Sequence, residues 1–190
     1  MNRTPRALAG AAAVATALGL LAPPAAAQHR GPCPGRPAEE WSVRIAPEDE
    51  PGQPLVVSGR VVDEEGRSLA GVEVFVFHTD ARGYYSPDGM DESNARLCGR
   101  MLTDAEGRYR FETVRPAHYA TGGPPAHVHY LVEGPGVPRQ RFVLHFEGDP
   151  KLGERGRDAS GNPLWASIRP AVPGEDGVQR VTRDLRARTR

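Results

Sequence analysis

Short segments in which apolar and polar residues alternate recur along most of the chain. Because residues two apart on a strand share one face, this alternation predicts half-buried β-strands. The predicted strands cover 41–45, 55–62, 71–78, 108–113, 127–132, 141–146 and 179–185. Acidic turns ending in glycine occur at 63–66 and 103–107. Since no long segment has a helical period, the pattern predicts an all-β fold: a single antiparallel β-sandwich with long connecting loops.

The first 27 residues have the pattern of a secretory signal. Arg3 and Arg6 form a positive start, residues 7–21 are almost entirely apolar, and three alanines at 25–27 supply a cleavage site. The apolar run is short for a membrane span. We therefore expect the segment 1–27 to be a signal peptide that is cleaved, and the protein to be exported, either to a periplasm or to the outside.

The rest of the chain divides into three regions by composition. Residues 28–54 are rich in proline, glycine and charge and form an extended leader, and residues 55–150 carry the sandwich core. Residues 151–190 form a C-terminal region. In that region we expect loop as far as residue 175, a last strand at 179–185, and a frayed basic tail from Arg186.

Charge excludes two classes of partner. The chain has 24 basic and 24 acidic residues, and loss of two arginines with the signal leaves a slightly acidic domain. A domain of this balance offers no basic surface to nucleic acid or to an anionic membrane. We expect no nucleic-acid partner and no membrane contact beyond the signal. The sequence does not indicate an oligomeric state.

The two cysteines, Cys33 and Cys98, can pair in an oxidising compartment. A bond between them would close a loop of about 65 residues and, on the chain-entropy model, stabilise the fold by roughly 4 kcal/mol. It would tie the leader to the core. The alternative is that both remain free thiols.

Two histidines and two tyrosines are candidates for chemistry. His127 and His129 lie two apart on a predicted strand, so their side chains share a face and can close around one metal ion. Tyr119 lies eight residues upstream, and Tyr85 lies in the loop after the strand 71–78. The ordinary alternatives are histidines without a ligand role and amphipathic tyrosines at loop edges.

Four sequence blocks, in order, resemble the catalytic domain of the intradiol ring-cleavage dioxygenases, the catechol and protocatechuate family. They are His78 to Ser86, Leu102 to Phe111, Pro125 to His129, and Phe146 to Pro150. The resemblance covers about residues 55–150 and implies the family's β-sandwich. It implies a mononuclear Fe(III) site held by Tyr85, Tyr119, His127 and His129. It further implies a small aromatic ortho-diol and O2 as substrates, with Tyr119 leaving the iron and accepting a proton.

Three positions depart from the family pattern. Pro124 stands where the family has a catalytic arginine, and Arg115 or Arg100 could replace that arginine in space. The region 142–146 lacks the glutamine that usually precedes its last block, and Phe77 stands where the family has tryptophan. His78, His118 and His145 could line the pocket, although a histidine without a role is the more common case.

Two other functions remain open from the sequence. The acidic turns and the segments 59–66 and 70–74 also resemble transthyretin-like sandwich modules, which bind partners and hold no metal. A third case is a family member that binds iron and has lost ring cleavage. Of the three functions, only the ring-cleaving dioxygenase accounts for catalysis as well as for the four metal-ligand residues in family order.

Overall fold

The computed structural model describes Met1 and residues 40–87, 89–152 and 166–190. The predicted signal peptide, most of the predicted leader and Cys33 lie outside these residues. The described residues form the strands β1 (Ser42–Arg44), β2 (Pro54–Val62), β3 (Glu73–His78), β4 (Leu97–Leu102), β5 (Arg108–Val114), β6 (His127–Gly134), β7 (Val137–Phe146), β8 (Ala166–Arg169), β9 (Val172–Pro173), β10 (Gln179–Thr182) and β11 (Leu185–Arg186). A single 3-10 turn at Glu92–Asn94 accompanies them, and no helix in these ranges is long and apolar enough to cross a membrane.

The strands pair into two sheets that face one another. The first sheet has the order β1-β5-β2-β10-β9, with β11 also paired to β2, and the second has the order β4-β3-β6-β7-β8. The predicted sandwich is confirmed. Its pairing differs from a wholly antiparallel sheet, because β1 pairs with β5, β10 and β11 with β2, and β8 with β7 in parallel. Parallel pairs need long crossovers, and each of these joins segments distant in the chain.

The space between the sheets is filled by alternate residues of the strands. The inward side chains include Val57, Val61, Tyr109 and Phe111 from the first sheet and Val74, Val76, Val128, Tyr130, Leu144 and Phe146 from the second, all fully buried. Complete burial of such side chains contributes about 1.5–3 kcal/mol each. This core explains the alternation that predicted the strands.

Strand β3 is buried on both of its faces. Its inward residues join the main core, while Phe75 and Phe77 point outward and pack with Tyr85 and Ala95 in a second cluster. A strand covered on both faces carries a nearly continuous apolar run, as 74–77 does. The second cluster covers part of the outer face of the second sheet, next to β6.

Strand β4 was not among the predicted strands. Gly99 and Arg100 interrupt its apolar pattern at the middle. Gly99 is required there because a Cβ would collide with the side chain of Ile45. Cys98, on the same strand, is disulfide-bonded, and its predicted partner Cys33 lies outside the described residues.

The C-terminal region differs from the expectation of loop and frayed tail. Strands β8 and β9 lie in the stretch expected to be loop. The tail is held because Ala187 is fully buried and the backbone of Arg188 exchanges two hydrogen bonds, each of 2.9 Å, with the amide of Gln140 on β7. Thr189 is also bound, through its backbone nitrogen, to the carboxylate of Glu64 at 3.1 Å.

His78, at the end of β3, is fully buried and uncharged. Its Nδ1 donates to the carbonyl oxygen of Thr79 at 2.7 Å, and its Nε2 accepts from the hydroxyl of Thr113 at 2.8 Å. Burial lowers the pKa of His78 from 6.5 to about 4. The ring therefore links the two sheets as a neutral group.

We expect the free energy of unfolding to fall as pH drops from 6.5 towards 4. In that window the unfolded chain binds a proton at His78 that the folded chain does not, so His78 alone removes roughly 3 kcal/mol by pH 4. Urea unfolding of the wild type and of His78→Gln between pH 4 and 7 measures this. Other buried histidines act in the same direction, so the slope of unfolding free energy against pH is compared between the wild type and His78→Gln. Equal slopes would show that His78 does not contribute to the pH dependence.

Candidate metal centre

The structure brings the four predicted ligand residues together on the outer face of the second sheet. Their donor atoms form a closed ring. The two tyrosine hydroxyls are 2.7 Å apart, and the Nε2 atoms of His127 and His129 are 2.9 Å apart. The ring closes from Tyr119 to His127 at 3.2 Å and from Tyr85 to His129 at 3.0 Å.

Strand β6 positions both histidines. His127 and His129 face outward, while Val128 and Tyr130 between and after them enter the main core. The ring of His129 stacks on Phe77 of β3, with centroids 4.7 Å apart. His127 donates from Nδ1 to the carbonyl oxygen of Pro125 at 2.7 Å, which leaves the lone pair of its Nε2 towards the other three donors.

The two tyrosines lie on two loops, and backbone hydrogen bonds join these loops to each other. Asp80 shapes the first loop by accepting from the backbone of Arg82 and Tyr84 at 2.9 and 3.0 Å. Its carbonyl oxygen accepts from Ala117 of the second loop at 3.0 Å. At Gly83, where φ is 89°, a Cβ would collide with the carbonyl of His118, so only glycine permits this approach.

Burial sets the protonation of the four donors. It lowers the pKa of both His127 and His129, so both rings are neutral and can act as ligands. Burial also raises the pKa of Tyr85, and the hydroxyl of Tyr119 raises it further. The pKa of Tyr119 is raised by burial as well. Two phenols and two imidazoles thus meet in their neutral forms.

The spacing and the donor types fit one metal ion. Ligand atoms at metal distances of about 2.0–2.2 Å lie roughly 3 Å from their neighbours, as these four do. Among the described residues no cluster of three His, Cys, Asp or Glu side chains could hold a metal, so a metal at this position would need the two phenol oxygens as donors. A bound metal ion would lower the pKa of both phenols and deprotonate them, and two phenolate oxygens with two imidazoles would favour a hard, highly charged ion such as Fe(III).

An ion pair of Arg141 and Glu92 lies at the rim of the donor ring. The Nη2 of Arg141 is 2.9 Å from the Nδ1 of His129 and 3.2 Å from a carboxylate oxygen of Glu92. The side chains of Arg141 and Glu92 are 42% and 47% exposed. The guanidinium also lies 5.8 Å from the ring centroid of Phe77. A molecule that reaches the donors from solvent would meet this pair.

The two arginines that the sequence offered as substitutes lie elsewhere. Arg100 is paired with Glu73 and lies over the ring of Phe75, and Arg115 lies over Phe146 and bonds the amide of Gln179. Pro124 is exposed.

Sequence reasoning missed Arg141, although a signal was present. Residues 141, 143 and 145 share a face of β7, and Val143 and His145 pair with His129 and His127. The hairpin between the two predicted strands could have given this register. Glu92 follows no strand pattern and had no such signal.

The three other histidines of the described residues lie apart from one another. His78 is in the core and His118 is exposed on the Tyr119 loop. His145 lies beside His127, with ring centroids 5.7 Å apart, and its Nδ1 is 3.4 Å from the carbonyl of Ala126. Of the three, only His145 borders the donor ring.

Comparison with known proteins matches both the sequence and the fold. A family model described as Dioxygenase matches residues 31–169. The chain is 31% identical over 153 residues to catechol 1,2-dioxygenase 2 of Acinetobacter lwoffii, covering 72% of this chain and 56% of that protein. It spans about half the length of the curated relatives it matches.

Two solved structures show the same architecture. Catechol 1,2-dioxygenase from Pseudomonas arvilla C-1 is 28% identical with a TM-score of 0.65, over 82% of this chain and 58% of that one. The dioxygenase domain of a dioxygenase carbohydrate-binding protein fusion from Streptomyces sp. SirexAA-E is 24% identical, also with a TM-score of 0.65, over 87% and 97% of the two chains. The second likeness extends over nearly the whole of that domain and bears on the fold alone.

Proposed function

Because the chain belongs to the intradiol dioxygenase family, whose members use non-haem Fe(III), we propose that it is an exported Fe(III) enzyme that cleaves an aromatic ortho-diol. Ring opening between the two hydroxyl carbons consumes O2 and gives a muconate-type diacid. The substrate is a catechol-type diol, in keeping with the names of the matched relatives, which act on catechol and protocatechuate. Export rests on the signal pattern of residues 1–27.

The observation that carries the proposal is the closed ring of two phenols and two imidazoles. Tyr85, Tyr119, His127 and His129 would hold the iron. When bound, Fe(III) supplies a Lewis acid that lowers the pKa of coordinated phenols and activates the diol towards O2. A metal-free binding module has no use for such a set, which disfavours the transthyretin-like alternative.

The two tyrosines differ in burial, which divides their roles. Tyr85 is 2% exposed and packed between Phe77 and Tyr119, so it is a fixed ligand. Tyr119 is only partly buried and lies on a loop. Its phenol oxygen can therefore move away from the other donors and hold the proton that the diol loses on binding.

Arg141 supplies positive charge where the diol must enter. Its guanidinium donates in a fixed plane and can stabilise negative charge on the diol oxygens and on the ring. Glu92 holds that guanidinium at 3.2 Å and so acts as a positioning residue. Phe77 and the second cluster form an apolar wall for an aromatic ring.

The first experiment is metal analysis with a visible spectrum on the purified chain from residue 28, with and without catechol. One iron per chain, a tyrosinate charge-transfer band that catechol shifts, and O2 uptake are expected. A colourless protein that takes up no ferric iron would contradict the proposal and favour the binding module. Sequencing the amino terminus of protein from the exported fraction tests cleavage after Ala27.

Replacing Tyr119 with phenylalanine should shift and weaken the charge-transfer band. The variant loses one of two phenolate donors and the group that accepts the diol proton, so kcat should fall as well. The matched control is Tyr84→Phe, because Tyr84 precedes Tyr85 in the same loop and lies against Arg82. A spectrum unchanged in Tyr119→Phe would remove Tyr119 from the ligand set.

A further inference from the structure

A charged residue interrupts the apolar side of the C-terminal strands. Val181, Arg183, Leu185 and Ala187 all face the main core, and the residues between them are exposed. Arg183 is 3% exposed, although its neighbours on this face are aliphatic. Arginine stays protonated even when burial lowers its pKa, as burial does here. The core therefore contains a full positive charge.

The backbone of Arg183 is firmly fixed. Its nitrogen donates to the carbonyl oxygen of Ser58 at 2.8 Å, and its carbonyl oxygen accepts from the hydroxyl of Tyr109. Gly59 lies opposite it on β2, where a Cβ would collide with the Arg183 carbonyl. These contacts fix the backbone of Arg183 against β2 and Tyr109, and its side chain is buried.

The guanidinium is only partly satisfied. Its Nη1 donates to the carbonyl of Asp184 at 2.7 Å. Its Nε and Nη2 are buried and have no protein acceptor, and within the described part of the chain the only other such side-chain atom is the hydroxyl of Tyr130. Tyr130 comes from the opposite sheet and packs edge-on against Tyr109, with ring centroids 6.1 Å apart.

Among the residues that the structure describes, no carboxylate hydrogen-bonds or pairs with the guanidinium of Arg183. The side chain of Asp184 is at the surface, where its Oδ1 accepts from the backbone of Arg60 at 2.8 Å. Arg169, from the second sheet, adds a further positive charge near Arg183. Burying an unpaired ion costs several kcal/mol even after relaxation. A water molecule could fill the hydrogen bonds, but it would not offset the charge.

We propose that the sandwich core holds one small monovalent anion, a halide or a small carboxylate, bound by the Nε and Nη2 edge of Arg183 and the hydroxyl of Tyr130. That edge of a guanidinium presents two parallel donors, the arrangement that binds a carboxylate in a bidentate manner. The site lies between the sheets, whereas the donor ring lies on the outer face of the second sheet. It is independent of iron binding and of ring cleavage.

Thermal unfolding in graded anion concentrations tests the site. The full chain from residue 28 is melted in sodium chloride, bromide or formate, with ionic strength held constant by a bulky sulfonate buffer. Above the dissociation constant, the Tm of the wild type should rise by roughly 3–5 °C per tenfold increase in the bound anion. Arg183→Met should lose this dependence, while Arg139→Met, which removes an exposed charge, should keep it.

If Arg183→Met does not fold, Tyr130→Phe serves in its place, because it removes one donor and should lower the apparent affinity. Comparison of chloride, bromide and formate distinguishes a halide from a carboxylate. A crystal grown in bromide should show an anomalous peak at the Nε and Nη2 of Arg183. A Tm that none of the three anions raises, or a water molecule alone at that edge in bromide crystals, would overturn the proposal.

Discussion

Replacing His129 with alanine should leave a folded protein that binds almost no iron. In the proposed site His129 is one of four donors, so its loss should lower iron affinity by more than the 10- to 100-fold that typically follows removal of an outer-shell partner. Its side chain is on the outer face of the second sheet, so the main core is untouched. The lost stacking on Phe77 costs about 1 kcal/mol. Metal analysis after ferric reconstitution, with circular dichroism for the fold, measures both effects.

His118→Ala is the matched control, because His118 is an exposed histidine on the Tyr119 loop. It should bind one iron per chain and keep the wild-type spectrum. Full iron occupancy in His129→Ala would remove His129 from the ligand set. If the control lost its iron as well, the effect would belong to the loop and not to the donor ring.

Replacing Arg141 with methionine should lower kcat/KM by roughly 100- to 1000-fold, the usual loss when one preorganised donor to a developing charge is removed. Iron content and the tyrosinate band should stay, because Arg141 is at the rim and is not one of the four donors. Arg141→Lys keeps the charge without the planar fork and should recover part of the activity. Steady-state O2 uptake and the spectrum of the iron protein measure these effects.

The control for Arg141 is Arg139→Met, two residues earlier on the same strand and exposed. It removes the same charge farther from the donor ring and should leave kcat/KM unchanged. Glu92→Gln should raise KM more than it lowers kcat, because it loosens the guanidinium without removing it. Wild-type kcat/KM in Arg141→Met would show that the rim arginine takes no part in the reaction.

Local pattern singled out the two histidines, and the family resemblance added the two tyrosines. The alternation around His127 and His129 gave both the strand and the shared face, and the tyrosines came from the family resemblance. That these residues bind a metal stays a prediction. Arg141 is different: its nearness to His129 depends on the register of β6 against β7, which is a property of the pair of strands.

Elements that depend on distant contacts were the ones missed. Strand β4 carries Gly99 because Ile45 occupies the space of a side chain, and a glycine in mid-strand weakens the local signal. The tail after Leu185 has the composition of a frayed end, but Ala187 packs in the core and Gln140 binds the backbone of Arg188. The polar composition of this tail correctly predicted that its even-numbered residues up to 186 are exposed, but not that residue 187 is buried.

The pairing of β10 with β2 has a consequence for the order of folding. Arg60 on β2 bonds a residue 124 positions later in the chain, and β10 separates β2 from β9 in its sheet. That sheet cannot be completed until the last strands have been synthesised. Contacts between such distant segments slow folding, so we expect the first sheet to close late. A chain that closes late stays extended for longer, which would suit the export proposed from the pattern of residues 1–27.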